Sequence, residues 1–338
     1  MGTDVSEKHR ELHHYTTVGG FEGILQSQSL FSTYYRYLND RSEVFHLKEK
    51  LQPPTRTLLK REIQRLKADP ETRTAIKALQ REHGSKGTIA REEAVKVLET
   101  LFTVTFGVDG REAAFPIYVT SLCSHMAKGD EYARDNGLLS MWNSYGRNGG
   151  LALVFDSARL ERLVKLESEA FQYNHLGIGD VVYDHDIDGF RDEFPTVVEG
   201  FKTVARNVIF NQEQAAFGKD FLKDFLDAAS RFKHRAFFEE REVRIVAIPW
   251  TEAHYDASKR EHESEGKPVG KQKRAFKHSG ASRLCLFGEP LTEPLPITRV
   301  IVGPHRDQKE RAVWAQRLLD KYAPGIQAVC SDTPYDPG

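Results

Sequence analysis

Residues 238–248 read Phe238-Glu239-Glu240-Arg241-Glu242-Val243-Arg244-Ile245-Val246-Ala247-Ile248, and this run sets the class of fold. Side chains two apart on a strand share a face, so Glu240, Glu242 and Arg244 line up while Val243, Ile245 and Ala247 face the other way. Further on, Val246 and Ile248 make the first face apolar too. The spacing predicts a strand that enters polar and ends buried on both sides.

Working outward, strand patterns recur towards both ends of the chain. Residues 13–17 read as a short edge strand, after which Thr17 caps a helix carrying Phe21, Ile24 and Leu25. Residues 30–38 are aromatic and β-prone, and Asn39-Asp40 closes them with turn chemistry. Further strands are expected at 117–123, 151–155, 181–183 and 300–302. Between them lie helical stripes: Leu59, Ile63, Leu66; Ala94, Leu98, Leu101; Val197, Phe201, Val204, Val208; Phe221, Leu222, Phe225, Leu226. Trp314, Leu318 and Tyr322 mark a last helix. Strands at both ends with helices grouped between them argue α+β, not a βαβ alternation. A single domain over 1–338 is expected. It carries a charged helical insertion at about 44–105, broken by Pro53-Pro54, a helical segment at 190–232 and a flexible basic loop at 252–282.

Composition narrows the class. Hydrophobic residues make 39% and charged residues 29% of 338, which a globular core can accommodate. The net charge of -1, from 48 basic and 49 acidic residues, excludes a generally polycationic nucleic-acid binder but leaves a local basic face possible. Cys123, Cys285 and Cys330 are odd in number and far apart, so free buried thiols are expected. No apolar run approaches the ~20 residues that span a bilayer, and no apolar signal segment opens the chain. No membrane contact and a cytoplasmic location are expected.

Two segments can carry chemistry. Glu240 and Glu242 at the mouth of a buried sheet suit an acid/base or oxocarbenium-stabilising pair, and equally a cross-strand charge ladder. His13-His14-Tyr15-Thr16 offers hydrogen bonds to a sugar or amide and a ring to stack on, or is an ordinary strand with satisfied histidines. His9 and His13 are four apart, but the third ligand of a zinc helix is missing, so no metal is expected. Trp142 and Tyr145, one helical turn apart, are core or pocket wall. The glycines from Gly146 to Gly150 fit a hairpin turn better than a phosphate loop.

In their order along the chain these blocks resemble the bacterial family called domain of unknown function 2971. The resemblance rests on His14-Tyr15-Thr16, Arg36-Tyr37-Leu38-Asn39-Asp40 with Glu43, the Trp142–Tyr145 block with its glycine-led strand, and Phe232-Lys233-His234. It continues through Glu240-Arg241-Glu242-Val243-Arg244 and Ile301-Val302-Gly303-Pro304 to Ser331, Pro334 and Tyr335. That family is similar to the ADP-ribosyltransferase fold, which implies a split β-sheet core with helical insertions and NAD as co-substrate. By that resemblance His14 and Thr16 bind NAD and Tyr15 or Tyr37 stacks on nicotinamide. Trp142, Tyr145 and Arg244 line the cofactor site, and Glu242 or Glu240 holds the ribose as nicotinamide departs. The implied activity is NAD-dependent ADP-ribosyl transfer by a toxin or phage-defence effector. Its acceptor would be RNA, DNA or protein, with an antitoxin as a further partner. The alternatives are an NAD glycohydrolase and a non-catalytic nucleic-acid-binding or interaction module.

Overall fold

The structure is a computed structural model and describes residues 4–38, 43–107, 115–127, 129–146, 148–184, 192–197, 200, 219–265 and 270–334. Asn39-Asp40, Arg147, the stripe from Phe201 to Val208 and Tyr335 lie outside the described residues. The protein is α+β, and the chain divides into two compact units where the sequence suggested a single domain with insertions. One holds residues 1–38, 117–181 and 236–338; the other holds 39–116 and 182–235.

In chain order the first unit begins with α1 (Val5–Lys8), β1 (Glu11–Thr16), α2 (Val18–Ser27) and β2 (Ser29–Tyr34). The second unit contributes α3 (Glu43–Ala68), α4 (Arg73–His83) and α5 (Lys86–Phe106). The chain returns to the first through β3 (Tyr118–Cys123), α6 (Glu131–Asn136), α7 (Leu139–Ser144), β4 (Leu151–Asp156), α8 (Ser157–Ala170) and β5 (Phe171–Asp180). The second unit then adds β6 (Val182–Tyr183), a helix over Lys219–Ser230 and β7 (Phe232–Lys233). The first unit closes with β8 (Glu242–Pro249), a helix over Glu252–Ser264, β9 (Lys271–Gln272), β10 (Phe276–His278), β11 (Ala281–Phe287), β12 (Ile297–Val302), a helix over Gln308–Tyr322 and β13 (Ala328–Cys330).

An 11-stranded sheet forms the first unit's frame, in the order β10-β11-β2-β3-β1-β4-β12-β13, with β8 and β5 branching from β3. β8 pairs along all of β3, whereas β2 pairs with Tyr118 and Val119 and β1 only with Cys123. A strand has two edges, so β1 and β2 share one edge of β3 and diverge from it. β4, between β1 and β12, is apolar on both faces because both are covered: Leu151, Leu153 and Phe155 face the main core, and Ala152 and Val154 pack with Trp142. One face of the sheet carries the main core: Leu12, Leu122, Leu153, Phe155, Val243 and Ile245 meet Phe21 and Leu25 of α2 and Leu160 of α8. Side-chain caps set two helix starts: the Thr17 hydroxyl accepts from Gly20 N, 3.2 Å, and Asp156 accepts from Arg159 N, 2.8 Å.

Several expectations change. The run 238–248 is a strand only from Glu242; Arg235–Glu240 is a 3-10 helix, and Arg241 has φ 42°. A left-handed residue breaks the pleat, so Glu240 does not share a strand face with Glu242. Pro53 and Pro54 lie inside α3, which runs through them. The stretch 252–282 is not a loop. It holds a helix exposed over most of its surface, which therefore lacks an apolar stripe, and then a hairpin. Ser279 and Gly280, both at positive φ, form its two-residue turn between His278 and Ala281. β5 carries His, Asn and Gly among half-buried positions, so period-two alternation does not announce it. Asn148 and Gly149 turn the chain from α7 into β4 rather than closing a hairpin. All three cysteines are free, but only Cys123 is buried; Cys285 is half-buried and Cys330 exposed. No helix among the described residues is long and apolar enough to cross a membrane.

Because β3 joins every branch of the sheet, its fully buried Leu122 should be sensitive. Leu122→Ala is expected to lower stability by about 2–5 kcal/mol, read as a fall in the urea midpoint at unchanged slope.

Candidate functional site

Opposed residues in an antiparallel ladder share a face, and successive residues alternate. His13, Cys123 and Glu242 are in register across β1, β3 and β8, so they form one rung. Tyr15 and Arg244, each two residues further along its strand, fall on the same face. His14 and Thr16 fall on the other, opposite Leu153 and Leu151 of the main core. The sequence placed His14, Tyr15, Thr16, Glu240 and Glu242 in one site. Strand parity brings together only Tyr15 and Glu242, and adds His13.

Around Tyr15 the second face is closed and polar at its centre. The Tyr15 hydroxyl accepts from Leu138 N, 2.8 Å, and bonds His125 Nε2, 2.9 Å. Its ring meets Trp142 edge-on, 4.8 Å between centroids. Met141, Trp142, Cys123, Ala152, Val154 and Ile301 complete the apolar surround, with Tyr145 packed at its rim. A Cβ at Gly137, Gly146 or Gly303 would strike the Trp142 ring, so these glycines make room for the indole. Trp142 Nε1 donates to the Asn136 carbonyl, 3.0 Å. Trp142 and Tyr145 therefore do join Tyr15, as packing partners.

His13 and His125 lie with ring centroids 4.7 Å apart, both buried. His13 Nε2 donates to the Arg134 carbonyl, 3.1 Å. Burial lowers His13 from 6.5 to about 4, and burial with the neighbouring His13 and Arg241 lowers His125 to about 3. Both rings are neutral near pH 7. Burial likewise raises the Tyr15 hydroxyl well above its usual value.

Glu242 and Arg244 form a buried bidentate pair, Nε to Oε1 2.8 Å and Nη2 to Oε2 3.0 Å, with side chains 2% and 3% exposed. Arg241 reverses the chain just before Glu242 and is held by an ion pair to Asp130. Glu240 precedes the strand and is half-buried. The like-charge carboxylate pair expected from sequence is replaced by this acid–base pair on one strand.

The remaining residues are dispersed. His14 Nδ1 donates to the Ser121 carbonyl, 3.0 Å, and burial lowers its pKa. Tyr37 is 49% exposed, its ring 6.3 Å from Tyr34. His9 follows the end of α1 and reaches Asp180, 2.6 Å, so no helical His9–His13 pair forms. Of the basic residues near 271–277, Lys273 is buried against Glu167, 2.6 Å, and Phe171. His13 belongs to the candidate segment His13–Thr16, but the resemblance gives the cofactor-binding role to His14, and His125 is not singled out in the sequence. His125 comes directly after β3, beyond any periodic signal.

Residues 141–245 match a family described as protein of unknown function (DUF2971). The matched stretch is under a third of the chain and runs from the helix of Trp142 to the strand of Glu242 and Arg244. No curated protein and no solved structure matches the chain.

Histidines kept neutral by burial make stability depend on pH. Their contribution is full above about 6.5, the unfolded value, and is lost as pH falls towards about 4 for His13 and 3 for His125. Each histidine should contribute a slope approaching about 1.4 kcal/mol per pH unit in that window. Urea unfolding from pH 7 to 4 should show it, and His125→Gln should flatten it. Asp180 and Asp184, held at about 2 by hydrogen bonds to His9 and His46 against an unfolded value of 3.8, add their own loss of stability only at the acid end of this range, as pH falls through about 4.

Proposed function

We propose that the protein transfers ADP-ribose from NAD to a nucleic-acid or protein acceptor, on the sheet face that carries Tyr15, Trp142 and Glu242. The observation behind this reading is the rung His13–Cys123–Glu242. It sets the His-Tyr strand and the β8 carboxylate two strands apart on one face, about 10 Å between them. Branching of β1 and β2 from a single edge of β3 supports the same reading, because the resemblance implies a split sheet.

In this assignment Tyr15 and Trp142 supply aromatic surface for a nicotinamide or adenine ring. Glu242 faces the ribose as the bond between its C1′ and nicotinamide breaks, the electron pair leaving with nicotinamide. A carboxylate there stabilises the oxocarbenium-like sugar, and the acceptor atom then bonds C1′ and gives up its proton. Arg244 fixes the direction of the carboxylate and has to yield one oxygen to the sugar. His14 and Thr16 lie on the opposite face and shape the strand in this scheme. The toxin and defence role, and an antitoxin partner, rest on resemblance alone.

One observation favours a second reading, a binding module without chemistry. Both oxygens of Glu242 accept from Arg244, and Tyr15, His125 and Trp142 are buried as well. A closed polar network of this kind also serves to fix a scaffold.

Labelled NAD separates the two. Wild type is expected to release nicotinamide and label RNA, DNA or protein, and Glu242→Gln to be at least about 100-fold slower. Label found only in free ADP-ribose assigns water as acceptor, hence a glycohydrolase. Equal NAD loss in both proteins removes Glu242 from the mechanism. Because Glu242→Gln strands a buried arginine at a cost of about 3–5 kcal/mol, Tyr15→Phe, which keeps the ion pair, is the companion variant. It should weaken the rise in unfolding temperature that NAD gives the wild type. A rise with an oligonucleotide and none with NAD establishes the binding module instead.

A further inference from the structure

The second unit gathers three metal-ligating side chains from segments far apart in sequence. β6 and β7 run parallel with Tyr183 opposite Lys233, and Asp184 N continues the ladder to the Lys233 carbonyl, 3.0 Å. The residues that leave the two strands, Asp184 and His234, are thereby placed side by side. α3 brings His46 onto them, its ring 4.9 Å from that of His234 and 6.0 Å from that of Phe232. One ligand atom from each of His46, Asp184 and His234 lies within 4.8 Å of the others. Among the described residues this is the one such group of three.

We propose that His46, Asp184 and His234 bind a divalent transition-metal ion of the zinc class, with one coordination position left to water. Two imidazoles and a carboxylate are the donors zinc takes, whereas calcium and magnesium ask for oxygen throughout. Ligand atoms around a tetrahedral zinc stand roughly 3.3 Å apart, from bond lengths near 2.0–2.1 Å. Arg235 N donates to Asp184 Oδ1, 2.8 Å, which aims the other oxygen, Oδ2, at His46, 2.8 Å. Backbone orientation of a ligating carboxylate is what metal sites use. Asp184 is nearly sealed and His46 about one-fifth exposed, so the site is dry at its base and open to an entering ion.

On binding, the hydrogen bond between His46 Nε2 and Asp184 Oδ2 is exchanged for two bonds to the metal, the imidazole staying neutral with its one proton on Nδ1. Lys50, one turn beyond His46 on α3, puts its ammonium 3.2 Å from the same Oδ2. Lysine and metal therefore compete for one oxygen. The ion would tie α3 to the ends of β6 and β7, joining the two stretches of chain that make up this unit.

The test uses the full chain freed of metal by a chelator and titrated with Zn2+ by calorimetry and with Co2+ by visible absorption. One ion per chain is expected, with the intense bands of low-coordinate Co2+. His46→Ala and His234→Ala should each weaken binding by at least about tenfold. Lys50→Ala should tighten it, a direction that loss of folding cannot imitate. Absence of saturable binding by the wild type overturns the proposal. So does equal affinity in the double variant His46→Ala, His234→Ala. Asp184→Asn is avoided because it also disturbs the bond to Arg235 N.

Discussion

The sheet of the first unit depends on β3, a six-residue strand with both edges in use. β8 occupies one edge along its whole length, and β1 and β2 divide the other. Every branch of the sheet thus inherits its alternation from Tyr118–Cys123. Leu122 turns to the main core, while Cys123 turns to the polar face with His13 and Glu242. A shift of one residue in this strand would exchange the two faces at once, which is why its register is so strongly determined.

The polar face shows how charged groups are kept inside a sheet. Glu242 and Arg244 satisfy one another through two parallel hydrogen bonds, and Tyr15 is held between a backbone amide and His125. Removing one member leaves another buried without its partner, so the cluster holds the surrounding geometry firmly. Trp142, with glycines cleared away around its ring, closes the apolar side. The left-handed backbone at Arg241 starts β8 at Glu242, and so decides which carboxylate enters this cluster.

The second unit is built differently. Leu59, Ile63 and Leu66 of α3 pack with Ile76 of α4 and with Ile89, Ala90 and Ala94 of α5. Its two-stranded ribbon, β6 with β7, is too small to be stable by itself and leans on α3. Where ribbon and helix meet, His46, Asp184 and His234 come together.

Much of the frame was legible along the chain because it depends on local periodicity. Leu59, Ile63 and Leu66 repeat at helical spacing, Thr17 precedes its helix with capping chemistry, and residues 243–248 are apolar enough to be a strand anywhere. The α+β class follows from how such segments are ordered. Polar segments such as β5 and the helix Glu252–Ser264 carry no apolar period, so they were not legible. Neither was the site as a set. Sequence supplied its candidates, Tyr15, Trp142, Glu242 and Arg244, but β3 decided which could face one another. His14 went to the opposite face because neighbouring strand residues alternate, and Glu240 was set aside by one left-handed residue. His125, His46, Asp184 and His234 were brought to their partners by long-range pairing alone. Periodicity is written in neighbouring residues, whereas proximity across a sheet belongs to the register of strands far apart in the chain.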